Sequence, residues 1–327
     1  MPETNVATRQ PTSLPAERLL QQLEWRVIKR LDGLLQGDYR TLLRGTGIDL
    51  ADLREYQLHD DVRHIDWNVT ARVGTPHVRV FTEDREMTAW FLLDLSPSVD
   101  FGPPGKTKRD QLTGFVAVLA RLLTRHGNRV GAVMHGQSER DRVLPARSGR
   151  AHVLQLMHML QPPTKANAAE PAGATQLHLL LNSAQSSLRR RSAVFVVSDF
   201  MSAPGWERPL AQLAQRHDVV AVRLLDPLEL ELPNIGLILM RDPETGEQLH
   251  VDTRNSNFRR RYARLAAERE AQLRENLTRA GADTLELATG DDLLDSMMRF
   301  MSLRGVRSKH QARITTASPQ HVNHARS

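Results

Sequence analysis

The chain has 327 residues, of which 40% are hydrophobic and 25% charged, and a formal net charge of +6. That is the composition of a soluble globular protein with room for one large domain, or a core domain plus a smaller one. It contains no cysteine, which excludes disulfides, thiolate zinc sites and cysteine nucleophiles.

Residues Met1–Ser13 form a polar leader, expected to be flexible, without the apolar core of a signal peptide. No apolar run approaches the roughly 20 residues needed to span a bilayer, so the expectation is a cytoplasmic protein with no integral membrane segment. Leu14–Leu35 reads as an amphipathic helix: Leu20, Leu23, Val27, Leu31 and Leu34 share a face, and Gly37-Asp38 stops the run. The helix and the following β segment make an N-terminal extension over residues 14–87. Within it, two His and three Asp fall between His59 and Asp66. Their spacing puts no ligand pair on one helical face, so pairing of Asp60, Asp61 and Asp66 with Arg54, Arg63 and Arg72 is preferred to a metal site. Val78–Phe81 alternates as a strand leading towards the core.

From Thr88 the pattern alternates between strand and helix, which predicts an α/β domain with a doubly wound, mostly parallel sheet over residues 88–303. The strand at Ala89–Leu93 runs into Asp94-Leu95-Ser96-Pro97-Ser98, and a helix follows from about Lys106 to His126. Strands are expected at Arg129–Met134 and, pairing with it, Arg142–Leu144. A short helix covers Gly149–Leu160, and a Pro- and Ala-rich linker follows over Gln161–Gly173. Thr175 is placed as the N-cap of a helix reaching about Arg190. Ala193–Val197 is a second fully apolar strand ending in a polar pair, Ser198-Asp199. A helix around Trp206–Gln215 and a strand at Val219–Leu225 come next. Residues 235–252 read as an inserted β-hairpin around Asp242–Gly246. A charged helix from about Ser256 to Ala280, a strand near Thr284–Leu287 and a helix over Asp291–Leu303 complete the domain. Beyond it, Arg304, Arg307, Lys309, Arg313 and Arg326 are unopposed by any acid. Subtracting these five from +6 leaves a nearly neutral body, and residues 304–327 are expected to be a basic, disordered tail.

In a doubly wound sheet the loops after adjacent parallel strands converge on one edge. Three such loops carry oxygen donors: Asp94, Ser96 and Ser98 on the first, Thr175 on the second, Asp199 on the third. Two carboxylates and three hydroxyls suit a hard cation, Mg²⁺ before Mn²⁺ or Ca²⁺, that retains some waters. The competing reading makes the two Asp N-caps and loop staples.

This three-part pattern resembles the metal-ion-dependent adhesion site (MIDAS) of the von Willebrand factor A domain. That resemblance implies a fold of that type with Asp94, Ser96, Ser98, Thr175 and Asp199 around the metal. Ser198-Asp199-Phe200 stands where Thr-Asp-Gly is frequent. Upstream, Arg54-x-Tyr56, Asp60-Asp61-Val62-Arg63-x-Ile65-Asp66-Trp67 and Ala71-Arg72 resemble the signature of the bacterial domain-of-unknown-function family 58. So do Asp226-Pro227-x-Glu229, Leu232-Pro233 and Glu244-Thr245-Gly246-Glu247. Family members are often encoded beside MoxR-type AAA+ ATPases. The resemblance therefore implies a metal-dependent interaction module serving such an ATPase and a carboxylate-bearing client, rather than an enzyme. The alternatives are a Mg²⁺-dependent phosphoryl-transfer enzyme, which would lack its general acid because Ser96 occupies that position, and nucleic-acid binding through the tail.

Overall fold

The computed structural model describes residues 16–23, 52–57, 62, 65–80, 87–103, 105–136, 141–161, 175–241 and 246–316. Ten strands and eight α-helices lie in these segments. The N-terminal part supplies α1 (Ala16–Leu23), β1 (Asp52–Glu55), α2 (Trp67–Val73) and β2 (His77–Val80). β1 and β2 pair antiparallel as a separate two-stranded sheet. Asp60, Asp61, Arg63 and the linker residues 162–174 lie outside the described residues. So do the hairpin tip 242–245 and the expected helix beyond Leu23. Asp66 is buried and accepts a hydrogen bond from the Val69 amide (3.2 Å), so it caps the start of α2.

The central sheet contains β3 (Thr88–Asp94), β4 (Arg129–His135), β5 (Arg142–Arg147), β6 (Ala193–Ser198), β7 (Asp218–Leu225) and β10 (Asp283–Ala288). Their order is β10-β7-β6-β3-β4-β5, all parallel except the edge strand β5. The strands that read as unbroken apolar runs do so because both faces of the sheet are covered. Alternate residues feed two cores. Ala89, Phe91 and Leu93 pack towards α3 (Lys108–Arg125), α4 (Arg150–Met159) and α8 (Leu293–Thr316). Trp90 and Leu92 point the other way, into a core with α5 (Leu177–Ser187), α6 (Glu207–Arg216) and α7 (Ser256–Arg279). The expected doubly wound α/β sheet is the one observed. Taken in chain order, its six strands run 3-2-1-4-5-6, with the reversal between β3 and β6.

Three phenylalanines tie the first core together: Phe91 stacks on Phe195 at 5.5 Å, and Phe115 meets both edge-on at 6.4 and 6.1 Å. The expected hairpin is present as β8 (Leu237–Arg241) paired with β9 (Gln248–Asp252).

Two expectations are corrected. Thr175 is not the N-cap of α5: Gln176 holds that position without a side-chain bond, and the Ser202 hydroxyl accepts from the Leu177 amide instead (2.9 Å). The last helix does not stop at Leu303, because α8 runs on to Thr316. Arg304, assigned from composition to a solvated tail, is buried, with its guanidinium 2.5 Å from Asp218 and 2.9 Å from Asp283. Those two Asp begin β7 and β10, so this contact fastens α8 to the amino-terminal edge of the sheet. Among the described residues no helix is long and apolar enough to cross a membrane.

Phe195→Ala should cost about 3–5 kcal/mol, the range for deleting a fully buried aromatic ring. Arg304→Ala should cost about 3 kcal/mol, because Asp218 and Asp283 then lose their common counter-charge. Urea denaturation followed by circular dichroism measures both, and a change below about 1 kcal/mol in either would contradict its assignment.

Candidate metal centre

β3 and β6 are parallel neighbours, with Leu93 opposite Val197. The next residues therefore meet at the carboxyl edge, at the point where strand order reverses and crevices form in such sheets. Asp94 is 1% exposed and Asp199 is fully buried. One carboxylate oxygen of Asp94 accepts from the Ser96 amide (3.1 Å), and the other accepts from the Ser198 hydroxyl (2.7 Å).

The loop after β3 is held from below by β4, whose His135 carbonyl accepts from the Leu95 amide (2.8 Å). Gly136 follows with φ of 95°, and a Cβ there would lie 2.6 Å from the Ser96 nitrogen. Only glycine fits this close approach in that left-handed conformation. The loop then turns through a 3₁₀ helix, Pro97–Asp100. Ser96 and Ser98 are both buried, with their hydroxyl oxygens 3.1 Å apart. Arg109 braces the far side, pairing with Asp100 and donating to the Leu95 carbonyl (3.1 Å).

Thr175 is buried, and its carbonyl accepts from the Ser202 hydroxyl (2.8 Å) and the Ala203 amide (3.0 Å). The Thr175 segment is thus tied to the loop that carries Asp199. That loop turns sharply at Phe200, the one non-glycine residue with positive φ (55°) among the described residues. Such a conformation costs of order 1–3 kcal/mol. It is held by the Phe200 amide donating to Ser198 Oγ (2.9 Å) and by the ring packing on Trp206 at 5.3 Å.

Three groups that sequence reasoning missed complete the cluster. Ser198, seen only as a departure from the frequent Thr, bridges Asp94 to the Phe200 amide. Lys108, in the first turn of α3, is 1% exposed, and its ammonium lies 2.7 Å from both Asp199 Oδ2 and Glu229 Oε1. Glu229 comes from the turn after β7, where Asp226 and Glu229 form a reciprocal capping box. Burial alone would lower the Lys108 pKa, but Asp199 and then Glu229 oppose it, and the net shift is upward. Asp94 is also shifted upward, first by burial and then by the Asp199 charge, against the hydrogen bonds from Ser198 and Ser96.

Two carboxylates, Asp199 and Glu229, thus share one ammonium in a space nearly closed to water, and the Asp94 carboxyl is tied to the end of β6 by Ser198. This acidic, oxygen-rich set, with the paired Ser96 and Ser98 hydroxyls, fits a hard divalent cation held by oxygen donors. Asp94, Ser96, Ser98, Thr175 and Asp199 are the residues that could hold it. Among the described residues no three acidic or histidine side chains surround a common point.

The family model described as "Protein of unknown function DUF58" matches residues 52–272. The chain is a member of the DUF58 family. Its DUF58 relatives include the uncharacterized proteins Mb1516 of Mycobacterium bovis and Rv1480 of Mycobacterium tuberculosis. Each is 36% identical over 297 residues, covering 89% of this chain and 91% of the relative. Among solved structures the chain is similar to the conserved hypothetical protein BatB from Bacteroides thetaiotaomicron, at 14% identity and a TM-score of 0.41 over 67% of this chain and 99% of that one. The SpRpn10 VWA domain is similar at 12% identity and a TM-score of 0.35, over 65% and 94% respectively. The strand order and the mostly parallel sheet of this DUF58 protein are those of the doubly wound α/β sheet expected from its sequence.

Asp94→Asn should raise the melting temperature of the protein in EDTA at neutral pH. An acid whose folded pKa lies above its unfolded value disfavours folding once ionised, and this cost is relieved as pH falls below the folded pKa. The difference between variant and wild type should therefore narrow on acidification towards the carboxylate range. A variant less stable than wild type in EDTA, or a gap that widens in acid, would contradict the electrostatic assignment.

Proposed function

We propose that this DUF58 protein is a cation-dependent protein-interaction module that works with a MoxR-type AAA+ ATPase in the maturation or assembly of other complexes. The observation that carries the reading is the convergence of the buried Asp94, Ser96, Ser98 and Asp199 at the sheet's switch point. The bound cation, Mg²⁺ before Mn²⁺ or Ca²⁺, would supply an electrophilic position for a carboxylate on the client. The chain's own residues do the rest. Ser198 and the Ser96 amide orient Asp94, Met201 orients Asp199 by donating its amide to Oδ1 (3.0 Å), and Gly136 lets β4 press the serine loop into register. The ATPase partnership is supported by the family resemblance, and a cytoplasmic location by the composition.

A binding role is favoured over catalysis by the character of the buried groups. Asp94 has both oxygens committed to fixed donors, the Ser96 and Ser98 hydroxyls lie against each other, and Lys108 is held between carboxylates. The Ser198 hydroxyl that pairs with Asp94 is fully buried and also accepts from the Phe200 amide, so it serves the turn.

Calorimetric titration with Mg²⁺ should show a single site in wild type and none in Asp94→Ala. Capture of the cognate MoxR-type ATPase, or of its client, should be lost both in EDTA and in that variant. Capture that is indifferent to chelation and to Asp94→Ala would sink the cation-dependent version of this function.

A further inference from the structure

Lys108 sits where a cation is electrostatically unwelcome. It is the first residue of α3, next to the positive end of the helix dipole, and its helix start is already capped by the reciprocal Thr107–Asp110 pair. Nothing in the helix itself calls for a lysine there. What holds the ammonium, out of water, is the pair of carboxylates at 2.7 Å. Asp199 has both oxygens occupied as a result, Oδ1 by the Met201 amide and Oδ2 by Lys108. It is therefore committed to an internal partner before any external cation arrives.

We infer that Lys108 is the tethered counter-ion of this centre: it occupies Asp199 in the cation-free protein and sets how tightly a divalent cation binds. The inference rests on the cation-site reading above and deepens it by naming the residue that tunes the site. Glu229 is the receiving group. It already touches the ammonium, so Lys108 can shift its weight from Asp199 to Glu229 without losing its last partner.

Glu229 is also firmly placed. Its other oxygen accepts from the Asp226 amide (3.1 Å), and Asp226 in turn accepts from the Leu228 amide (2.9 Å) and the Thr289 hydroxyl. The turn is braced from α7, where Tyr262 donates to the Leu228 carbonyl (3.0 Å) and Arg269 to the Glu229 carbonyl (3.3 Å). Charge then dictates opposite effects for the two partners. Removing the ammonium frees Asp199 Oδ2 and takes away the positive charge beside it. Neutralising Glu229 leaves Lys108 with Asp199 as its charged partner and tightens that hold.

The test is Mn²⁺ binding by the full-length protein, followed as loss of the free-ion electron paramagnetic resonance signal, with thermal unfolding in EDTA alongside. Lys108→Met should bind Mn²⁺ about tenfold or more tightly than wild type, and Glu229→Gln about tenfold more weakly, as expected for a unit charge within a few ångströms of the ion. Lys108→Met should also melt lower in EDTA and gain more on Mn²⁺ addition than wild type does. A lysine with a purely structural role would weaken binding in both variants, or in neither, and either result overturns the inference while leaving the cation site intact. Absence of Mn²⁺ binding in wild type and Lys108→Met alike overturns both. Should Lys108→Met fail to fold, Glu229→Gln decides alone, and unchanged or tighter binding there refutes the counter-ion role.

Discussion

The burial of one ammonium between two carboxylates organises the carboxyl edge of this sheet. Lys108 belongs to the helix that follows β3, Asp199 to the loop that follows β6, and Glu229 to the turn that follows β7. Removing two or three charges from water costs several kcal/mol per ion, and the cost is met only when each charge is paired in good geometry. All three segments must therefore arrive together. Asp94 is drawn into the same arrangement through Ser198, which links the ends of β3 and β6 across the switch point. The site is thus a junction among three connections and not a property of the serine loop alone.

The position of this junction follows from the sheet. Side chains alternate along β3 between two cores, and helices cover both faces. Chain reversal between β3 and β6 sends their following helices to opposite faces, which opens the crevice between their ends. At the opposite edge Arg304 plays a matching part, gathering the first residues of β7 and β10 beneath α8. Each edge of the sheet is closed by a cation that takes two carboxylates. One of these closures lies in a candidate site, and the other is purely structural.

Much of this could be read from residue order. The apolar runs at Ala89–Leu93 and Ala193–Val197 are long enough, and interrupted sharply enough, to mark buried parallel strands with Asp94 and Asp199 at their ends. Thr175 was assigned to the right loop but to the wrong job, since capping is a local bond and Ser202, far along the chain, supplies it. Lys108 and Glu229 escaped because their relation to Asp199 exists only after folding: 91 residues separate Lys108 from Asp199 and 121 separate it from Glu229. One signal was available. A Lys-Arg pair opening a helix opposes the dipole, and such a residue needs an acidic neighbour from elsewhere. Arg304 was misplaced for the opposite reason: the surrounding Ser, Thr, Gln and His resemble a tail in composition, and composition carries no record of a single buried contact.

Phe200 has a consequence for the proposed docking role. Where related sites often carry glycine, this chain has a bulky residue in a left-handed conformation, locked by its packing on Trp206. Glycine would leave the turn many backbone states to give up on association, whereas a residue already confined has little left to lose. The strain is met once, when the chain folds, and the entropy of ordering is not charged again at each encounter. In the proposed docking role this Asp199 loop would act preorganised, which favours affinity without enlarging the contact surface.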